Sequence, residues 1–313
     1  MIHHLIRAAI LTGFAMFIVY LDRTGEMMLY IAPRMELYVK LSALGLYAAA
    51  IYQIYAALQK RMGKQAPDCD CEHEPSPSII KNVLIYGLFV FPLLLGFLIP
   101  TGTLGSALAS KKGMSLSGSA SIERTDNTAS PELDPSESQG LNADADTKAA
   151  AQSPSKEENA KAESGIDALF PYDEYTETHA AYGKKLYEQA LISVPEKQFI
   201  ETLTTLDLYR EAFIGKEVEI TGFVYREEDM GKERLAISRF AMNCCSADAL
   251  PYGLMIIWPK ALDYVEDEWV TVKGTLTTST YMDNEIITLD AIKMERVKAP
   301  ESPYVYPDLD FGL

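Results

Sequence analysis

Two adjacent cysteines followed by an aspartate form the most chemically distinctive cluster in this sequence. Cys244 and Cys245 are consecutive, and Asp248 follows three residues later. Adjacent cysteines do not readily form a disulfide with each other, because the ring that would close is strained. Two thiols and a carboxylate so close together are suitable ligands for a soft cation, and thiolates favour zinc or copper(I). We therefore predict a metal site at these three residues, with zinc as the first candidate.

Two neighbouring residues would support this site, and two other interpretations of the cluster remain open. Arg239 and Asn243 precede the cysteines, and a guanidinium close to the thiols would favour their deprotonated form. In the second interpretation one cysteine packs in the core, the other is partly exposed, and Asp248 caps a turn. In the third, the two thiols carry out redox chemistry. The residue types alone agree with all three.

A second group of soft ligands lies between the second and third apolar stretches of the chain. Cys69, Cys71 and His73 alternate with acidic residues over a short segment. A closed structural zinc site needs four ligands and usually a wider spacing. This segment therefore predicts at most a transient or shared second metal loop, with a polar loop that contains incidental cysteines as the alternative.

Three apolar stretches in residues 1–104 predict membrane-spanning helices at about 5–21, 41–59 and 82–101. Each is close to the length of about 20 residues that a helix needs to cross a bilayer. No Asp, Glu, Lys or Arg lies at mid-depth in any of them. Ionisable residues inside the membrane usually mark a transport path, so these helices indicate an anchor or one part of a larger assembly. We expect a multi-pass protein of the cell membrane, surrounded by lipid.

The orientation in the membrane follows only weakly from the flanking charges, because basic residues are balanced between the two sides. Lys60, Arg61 and Lys64 cluster tightly after the second stretch, whereas Lys111 and Lys112 lie well beyond the third. Basic residues close to helix ends favour the cytoplasmic side. We therefore expect a cytoplasmic N-terminus and an extracytoplasmic C-terminal domain.

The remaining chain divides into a linker at 105–165 and a soluble domain at 166–313. The linker is rich in Ser, Ala, Asp, Glu and Asn, so it is expected to be disordered, acidic and unable to bury a core. The domain carries 14 Lys and Arg against 27 Asp and Glu, a net charge of −13. Such a domain repels phosphate backbones and attracts cations, so nucleic-acid binding is not expected.

Alternating apolar residues in the C-terminal domain predict a small β structure preceded by a helix. A capping-box pattern at Ser193–Glu196 predicts a helix that continues through Phe213 and ends at Gly215. Five strands then follow, at about 218–224, 235–241, 254–258, 270–276 and 285–296. Five short strands with glycines in phase favour an OB-like five-stranded β-barrel, with a β-sandwich as the alternative. The fold class is an α+β membrane protein.

Known catalytic signatures are missing from the sequence. It contains no phosphate-binding loop, dinucleotide fingerprint, nucleophile elbow or metalloprotease HExxH motif. We therefore expect that the protein is not an enzyme, and that any metal it holds serves binding.

Three segments of the chain resemble the YcgQ-like family of bacterial membrane proteins. They are Gly215-Lys-Glu-Val-Glu-Ile-Thr-Gly-Phe-Val-Tyr225, Arg239-Phe…Asn-Cys-Cys-Ser-Ala-Asp-Ala249 and Trp269-Val-x-Val-x-Gly274, together with the short multi-span N-terminus and the tether. Members of that family are described as permease subunits, so the resemblance implies an integral-membrane permease partner and a role in transport. The expected function is an accessory permease subunit whose acidic domain binds a ligand such as zinc. A protein-interaction scaffold with structural cysteines is the alternative.

Overall fold

The computed structural model describes residues 2–62, 78–99, 102, 104–116 and 165–313. The predicted second metal loop, with Cys69, Cys71 and His73, lies outside the described residues and stays a prediction. The central part of the predicted linker lies outside them as well.

Three long apolar helices form the N-terminal part. They are α1 (Ile2–Thr24), α2 (Pro33–Arg61) and α3 (Ile79–Leu98). The stretches long and apolar enough to cross a membrane measure 23, 27 and 19 residues. Even the shortest extends over about 28 Å, close to the thickness of about 30 Å of a bilayer's hydrocarbon core. The prediction of three N-terminal membrane helices is confirmed.

Polar contacts hold the first helix to its neighbours at both ends. Lys40 of α2 pairs with Asp22 of α1 at 2.7 Å. At the opposite end, His4 Nδ1 lies 2.7 Å from Gln53 Oε1 of α2, and His3 Nδ1 lies 3.1 Å from the Tyr86 hydroxyl of α3. Hydrogen bonds between helices stabilise association in a membrane, where apolar side chains gain little by leaving lipid.

The predicted linker begins later than expected, because its first residues pack against the C-terminal domain. Ser106–Lys112 forms a short helix, α4. Its residue Ala109 is fully buried, and the Ser106 hydroxyl donates to Asp267 at 3.0 Å. Further on, the Ser115 N–H donates to the Pro251 carbonyl at 3.0 Å. The prediction of a disordered linker is therefore wrong for residues 105–116, where Ala109 and Leu116 are buried in one apolar cluster with residues of the domain.

The helices of the C-terminal domain differ from the single predicted one. They are α5 (Glu177–Tyr187), α6 (Phe199–Leu208) and α7 (Arg210–Phe213). The prediction of a helix cap at Ser193 is wrong, because Ser193 pairs with Glu219 in a parallel ladder and its backbone is extended. Tyr209 separates α6 from α7 in a non-helical conformation.

The described part of the C-terminal domain contains seven strands. They are β1 (Leu191–Ser193), β2 (Glu217–Tyr225), β3 (Arg234–Ala241), β4 (Leu250–Ile257), β5 (Trp269–Tyr281), β6 (Asn284–Arg296) and β7 (Tyr304–Val305). The five predicted strands correspond to β2 through β6. The short β1 and β7 extend over 3 and 2 residues, too few to show a period.

The strands form one mixed sheet in the order β1-β2-β5-β6-β4-β3-β7. Strands β2 and β5, β5 and β6, and β3 and β4 pair antiparallel, whereas β4 and β6 pair parallel. In addition β2 pairs antiparallel with β3, so the pairings that start at β2 return to it. The α+β class is confirmed.

The domain core extends to residues from the membrane part. One apolar cluster lies between α5–α7 and the sheet. A second cluster joins Phe223, Phe240 and Met242 of the domain to Ala32, before α2, and Ala109 of α4. The turn between the first two membrane helices is therefore packed into the soluble domain.

Candidate metal centre

The predicted ligands lie in the loop that joins β3 to β4. The Sγ atoms of Cys244 and Cys245 are 3.7 Å apart. With a carboxylate oxygen of Asp248, they form a group in which all three donor atoms lie within 4.8 Å of one another, and each residue is half-buried. Two zinc–sulfur bonds of about 2.3 Å at a tetrahedral angle place the sulfurs about 3.8 Å apart. The spacing of the two thiols therefore suits a tetrahedral cation.

Asp248 also holds the loop in shape. One of its oxygens accepts the N–H of Asn243 at 3.0 Å and the other accepts the N–H of Cys244 at 2.6 Å. Its own N–H donates to the Cys245 carbonyl at 3.0 Å. This is the turn-capping role of the second interpretation. A carboxylate has about four lone-pair sites, so capping leaves room for a metal bond.

The protonation of the loop favours a thiol paired with a carboxylate. Hydrogen bonding to Asp248 and to the Cys245 sulfur, with a smaller contribution from burial, raises the pKa of Cys244 to about 11. Partial burial acts to raise the pKa of Asp248, but the hydrogen bonds from Cys244 and the loop N–H groups outweigh it and lower that pKa. The thiolate is both the reactive and the metal-binding form of cysteine, so a redox role and a metal role alike require Cys244 to lose this proton, and a bound cation would displace it.

Arg239 does not support the thiols in the way the sequence suggested. It lies in β3 with 1% of its surface exposed, donating to Glu196 at 3.0 Å and to the Ser302 carbonyl at 2.6 Å. Its guanidinium lies 5.5 Å from the Trp269 ring centre. Burial lowers the pKa of Arg239, although the charge of Glu196 opposes that shift. Among the described residues no hydrogen bond joins Arg239 to either cysteine, and its contacts are those of a core residue.

Asn243 does belong to the loop structure, and it introduces a partner that sequence reasoning missed. Its side-chain oxygen accepts a hydrogen bond from Arg34 Nη2, in the first turn of α2. On the other side of the loop, Lys112 Nζ of α4 donates to the carbonyls of Ala247 at 2.9 Å and Ala249 at 2.6 Å. Local sequence carries no signal for these contacts, because neither Arg34 nor Lys112 is near the loop in the chain.

A mostly apolar cavity of about 250 Å³ lies beside the loop, at the contact between the membrane part and the domain. Its walls come from the start of α2, from the loop, and from segments before α6 and near the C-terminus. They include Ala32, Arg34, Lys197, Asn243, Tyr306 and Asp308.

The fold and the loop together define a class: a membrane-anchored protein whose acidic β domain presents a two-cysteine loop to its own membrane helices. Residues 6–115 match the family described as the DUF1980 N-terminal domain, and residues 169–307 match the DUF1980 C-terminal domain. The chain belongs to the YcgQ-like family, as the resemblance of its motifs indicated.

Two relatives show how far the likeness extends. The chain is 28% identical to "UPF0703 protein YcgQ" of Bacillus subtilis, over 96% of this chain and 98% of that protein. It is 26% identical to the "Putative two-component membrane permease complex subunit" of Streptococcus mutans, over 44% of this chain and 51% of that protein. No solved structure matches the chain.

Proposed function

We propose that this protein is an accessory subunit of a membrane permease, and that its acidic domain binds a soft divalent cation, zinc being the first candidate. Cys244, Cys245 and Asp248 would supply the ligands. The observation that carries the proposal is the convergence of their three donor atoms within 4.8 Å. The loop that holds them lies against the membrane helices, where a captured ion would be handed over.

A membrane-embedded partner is supported by the name of the Streptococcus mutans relative and by the surface of α3. In the apolar stretch Ile80–Leu98, none of the side chains is buried within the described protein. Lipid and the transmembrane helices of a permease are the two surroundings that suit such a surface. Three helices without mid-depth charges lack the groups that a transport path needs, so the partner would supply that path.

The charge and fold of the domain support a binding role. A net charge of −13 attracts cations to the domain as a whole and disfavours nucleic acid. The pairings of β2 through β6, which return to β2 and include one parallel pair, support the OB-like five-stranded barrel. The domain contacts the start of α2, and the basic residues Lys60 and Arg61 lie at the other end of that helix. Because basic residues favour the cytoplasmic side, we propose that the domain lies outside the cytoplasm.

An interaction scaffold with structural cysteines is the second candidate. The capping hydrogen bonds of Asp248 favour it, because they give the carboxylate a role without any metal. Both candidates should retain the membrane partner after both thiols are removed. They differ in the ion, because only a metal-binding subunit would lose a bound cation in that variant.

The test is metal retention by the full chain in lipid nanodiscs after equilibrium dialysis. In a Cys69→Ser/Cys71→Ser background, which removes the thiols of the predicted second metal loop, we expect one Zn²⁺ per chain. It should be kept in the presence of excess Mg²⁺, because Mg²⁺ requires hard oxygen ligands and thiolates are soft. A chain that keeps no Zn²⁺, or that loses it to Mg²⁺, would overturn the proposed site and leave the scaffold.

A further inference from the structure

The backbone that carries both thiols is held by the turn between the first two membrane helices. The Ala32 N–H donates to the Cys244 carbonyl at 3.0 Å, and the Ser246 N–H donates to the Tyr30 carbonyl at 2.8 Å. These two bonds lie on either side of Cys245 and form an antiparallel bridge between Ile31 and Cys245. The backbone at the two cysteines is therefore held by a segment that belongs to the membrane part.

The third ligand is connected to the same helices through a side chain. Arg34 donates to the side-chain oxygen of Asn243, and the Asn243 N–H donates to Asp248 Oδ1 at 3.0 Å. Two hydrogen bonds thus lead from the first turn of α2 to the carboxylate. Arg34 is exposed and touches none of the three donor atoms, so its effect on them acts through Asn243.

A second membrane-side element closes the loop from the other direction. Lys112 of α4 donates to the carbonyls on both sides of Asp248, those of Ala247 and Ala249. These two bonds fix the backbone of the aspartate as the turn fixes that of the cysteines. The loop is therefore held between two segments that adjoin the membrane helices in the chain.

We propose that the metal centre is composite: the β domain supplies the donor atoms, and the α1–α2 turn positions them, with Arg34 as the positioning residue. This inference rests on the proposed function and identifies what regulates its site. Binding of a cation and docking of the domain on the membrane helices are then thermodynamically linked, so each strengthens the other by the same factor. A movement of α1 against α2 would change the affinity for the ion, which couples the membrane part to the soluble site.

The expected size of the effect follows from what outer hydrogen bonds do for metal ligands. Loss of a residue that orients a ligand typically weakens metal binding about 10- to 100-fold. Arg34 acts on Asp248 through Asn243, so the substitution Arg34→Ala should fall at the lower end of this range, about tenfold. Because Arg34 is exposed on the surface, its removal should change the stability of the fold little.

The experiment is a Co²⁺ titration of the full chain in nanodiscs, followed through the thiolate-to-cobalt charge-transfer absorption. All variants, and the protein called wild type here, carry Cys69→Ser and Cys71→Ser, so that the absorption reports on Cys244 and Cys245. We expect Arg34→Ala to weaken Co²⁺ binding about tenfold, and Arg34→Lys, which keeps one donor, to recover part of the loss. The matched control is Arg23→Ala, at the end of α1, which removes an exposed positive charge near the same turn. Within the described residues no hydrogen bond or ion pair joins Arg23 to the loop. The control should bind Co²⁺ as the wild type does.

The outcomes separate this inference from the function on which it rests. If wild type binds Co²⁺ and Arg34→Ala binds it with equal affinity and an unchanged spectrum, the composite site is wrong and the metal site stands. If Arg23→Ala weakens binding as much as Arg34→Ala, the effect is one of surface charge, and the positioning role is overturned. A wild type without thiolate-to-cobalt absorption would overturn the metal site itself, and this inference with it.

Discussion

Replacing both Cys244 and Cys245 by serine is expected to weaken Zn²⁺ binding to the full chain by at least about a thousandfold. The two thiols are two of the three donor groups at the site. A four-ligand structural zinc site gains about 10–16 kcal/mol from its ligands, so two thiolates contribute well above the 4 kcal/mol or so that equals a thousandfold change. Competition with a chelator of known affinity measures the difference.

The matched control is Ser246→Ala, which changes a neighbouring side chain in the same loop and leaves the backbone bond to Tyr30 in place. It should bind Zn²⁺ as the wild type does. If the double serine variant keeps the wild-type affinity, the thiols are structural and the ion, if any, lies elsewhere.

The substitution Gly253→Ala is expected to cost more than about 3 kcal/mol of folding free energy, because the added methyl group meets backbone. Gly253 of β4 lies opposite Ser238 of β3. A Cβ atom at this position would overlap the Ile237 carbonyl oxygen and lie 2.8 Å from the Ser238 Cα. Backbone atoms cannot rotate away as a flexible side chain can, so the two strands that carry the cysteine loop would have to separate.

Thermal unfolding of the full chain in detergent measures this loss. The control is Gly87→Ala in α3, where an added Cβ meets nothing within 4 Å, and where alanine is the better helix former. That variant should unfold at the wild-type temperature or slightly above it. A Gly253→Ala protein as stable as wild type would contradict the close pairing of β3 with β4.

Local patterns predicted most of the architecture, because each pattern reports on a single element. Long uncharged stretches predicted the three membrane helices, and alternation predicted the five strands β2 through β6. The predicted start of α6 was wrong because Ser193 suits two structures. Its neighbours in sequence suggest a helix cap, whereas in the folded chain it pairs with a strand. Its pairing partner Glu219 lies in a later strand, so local patterns could not reveal the choice.

The candidate ligands could be predicted from their types, whereas their surroundings could not. Cys244, Cys245 and Asp248 are close in sequence and stay close in space. Arg239 is equally close in sequence, but it lies within a strand and is directed to Glu196. Arg34 is remote in the chain and yet contacts the loop. Distance along the sequence was therefore a poor guide to which arginine contacts the cysteine loop.

The docking of the loop on the membrane helices changes how the protein is understood. A domain on a long disordered tether would search freely for its ligand, and the α1–α2 turn would have no part in binding. The bonds of Cys244 and Ser246 to that turn instead hold the cysteine loop against the membrane part. If the proposed function holds, occupancy of the site would be communicated through this contact to helices that face the permease.

The most direct test of the metal centre is X-ray absorption spectroscopy at the zinc edge of the Zn²⁺-loaded full chain carrying Cys69→Ser and Cys71→Ser, so that Cys244 and Cys245 are the only thiols left. We expect two sulfur atoms at about 2.3 Å from the zinc and oxygen or nitrogen atoms in the remaining positions. A first shell without sulfur would contradict this expectation, because Zn²⁺ would then be held by groups other than the paired thiols of the loop.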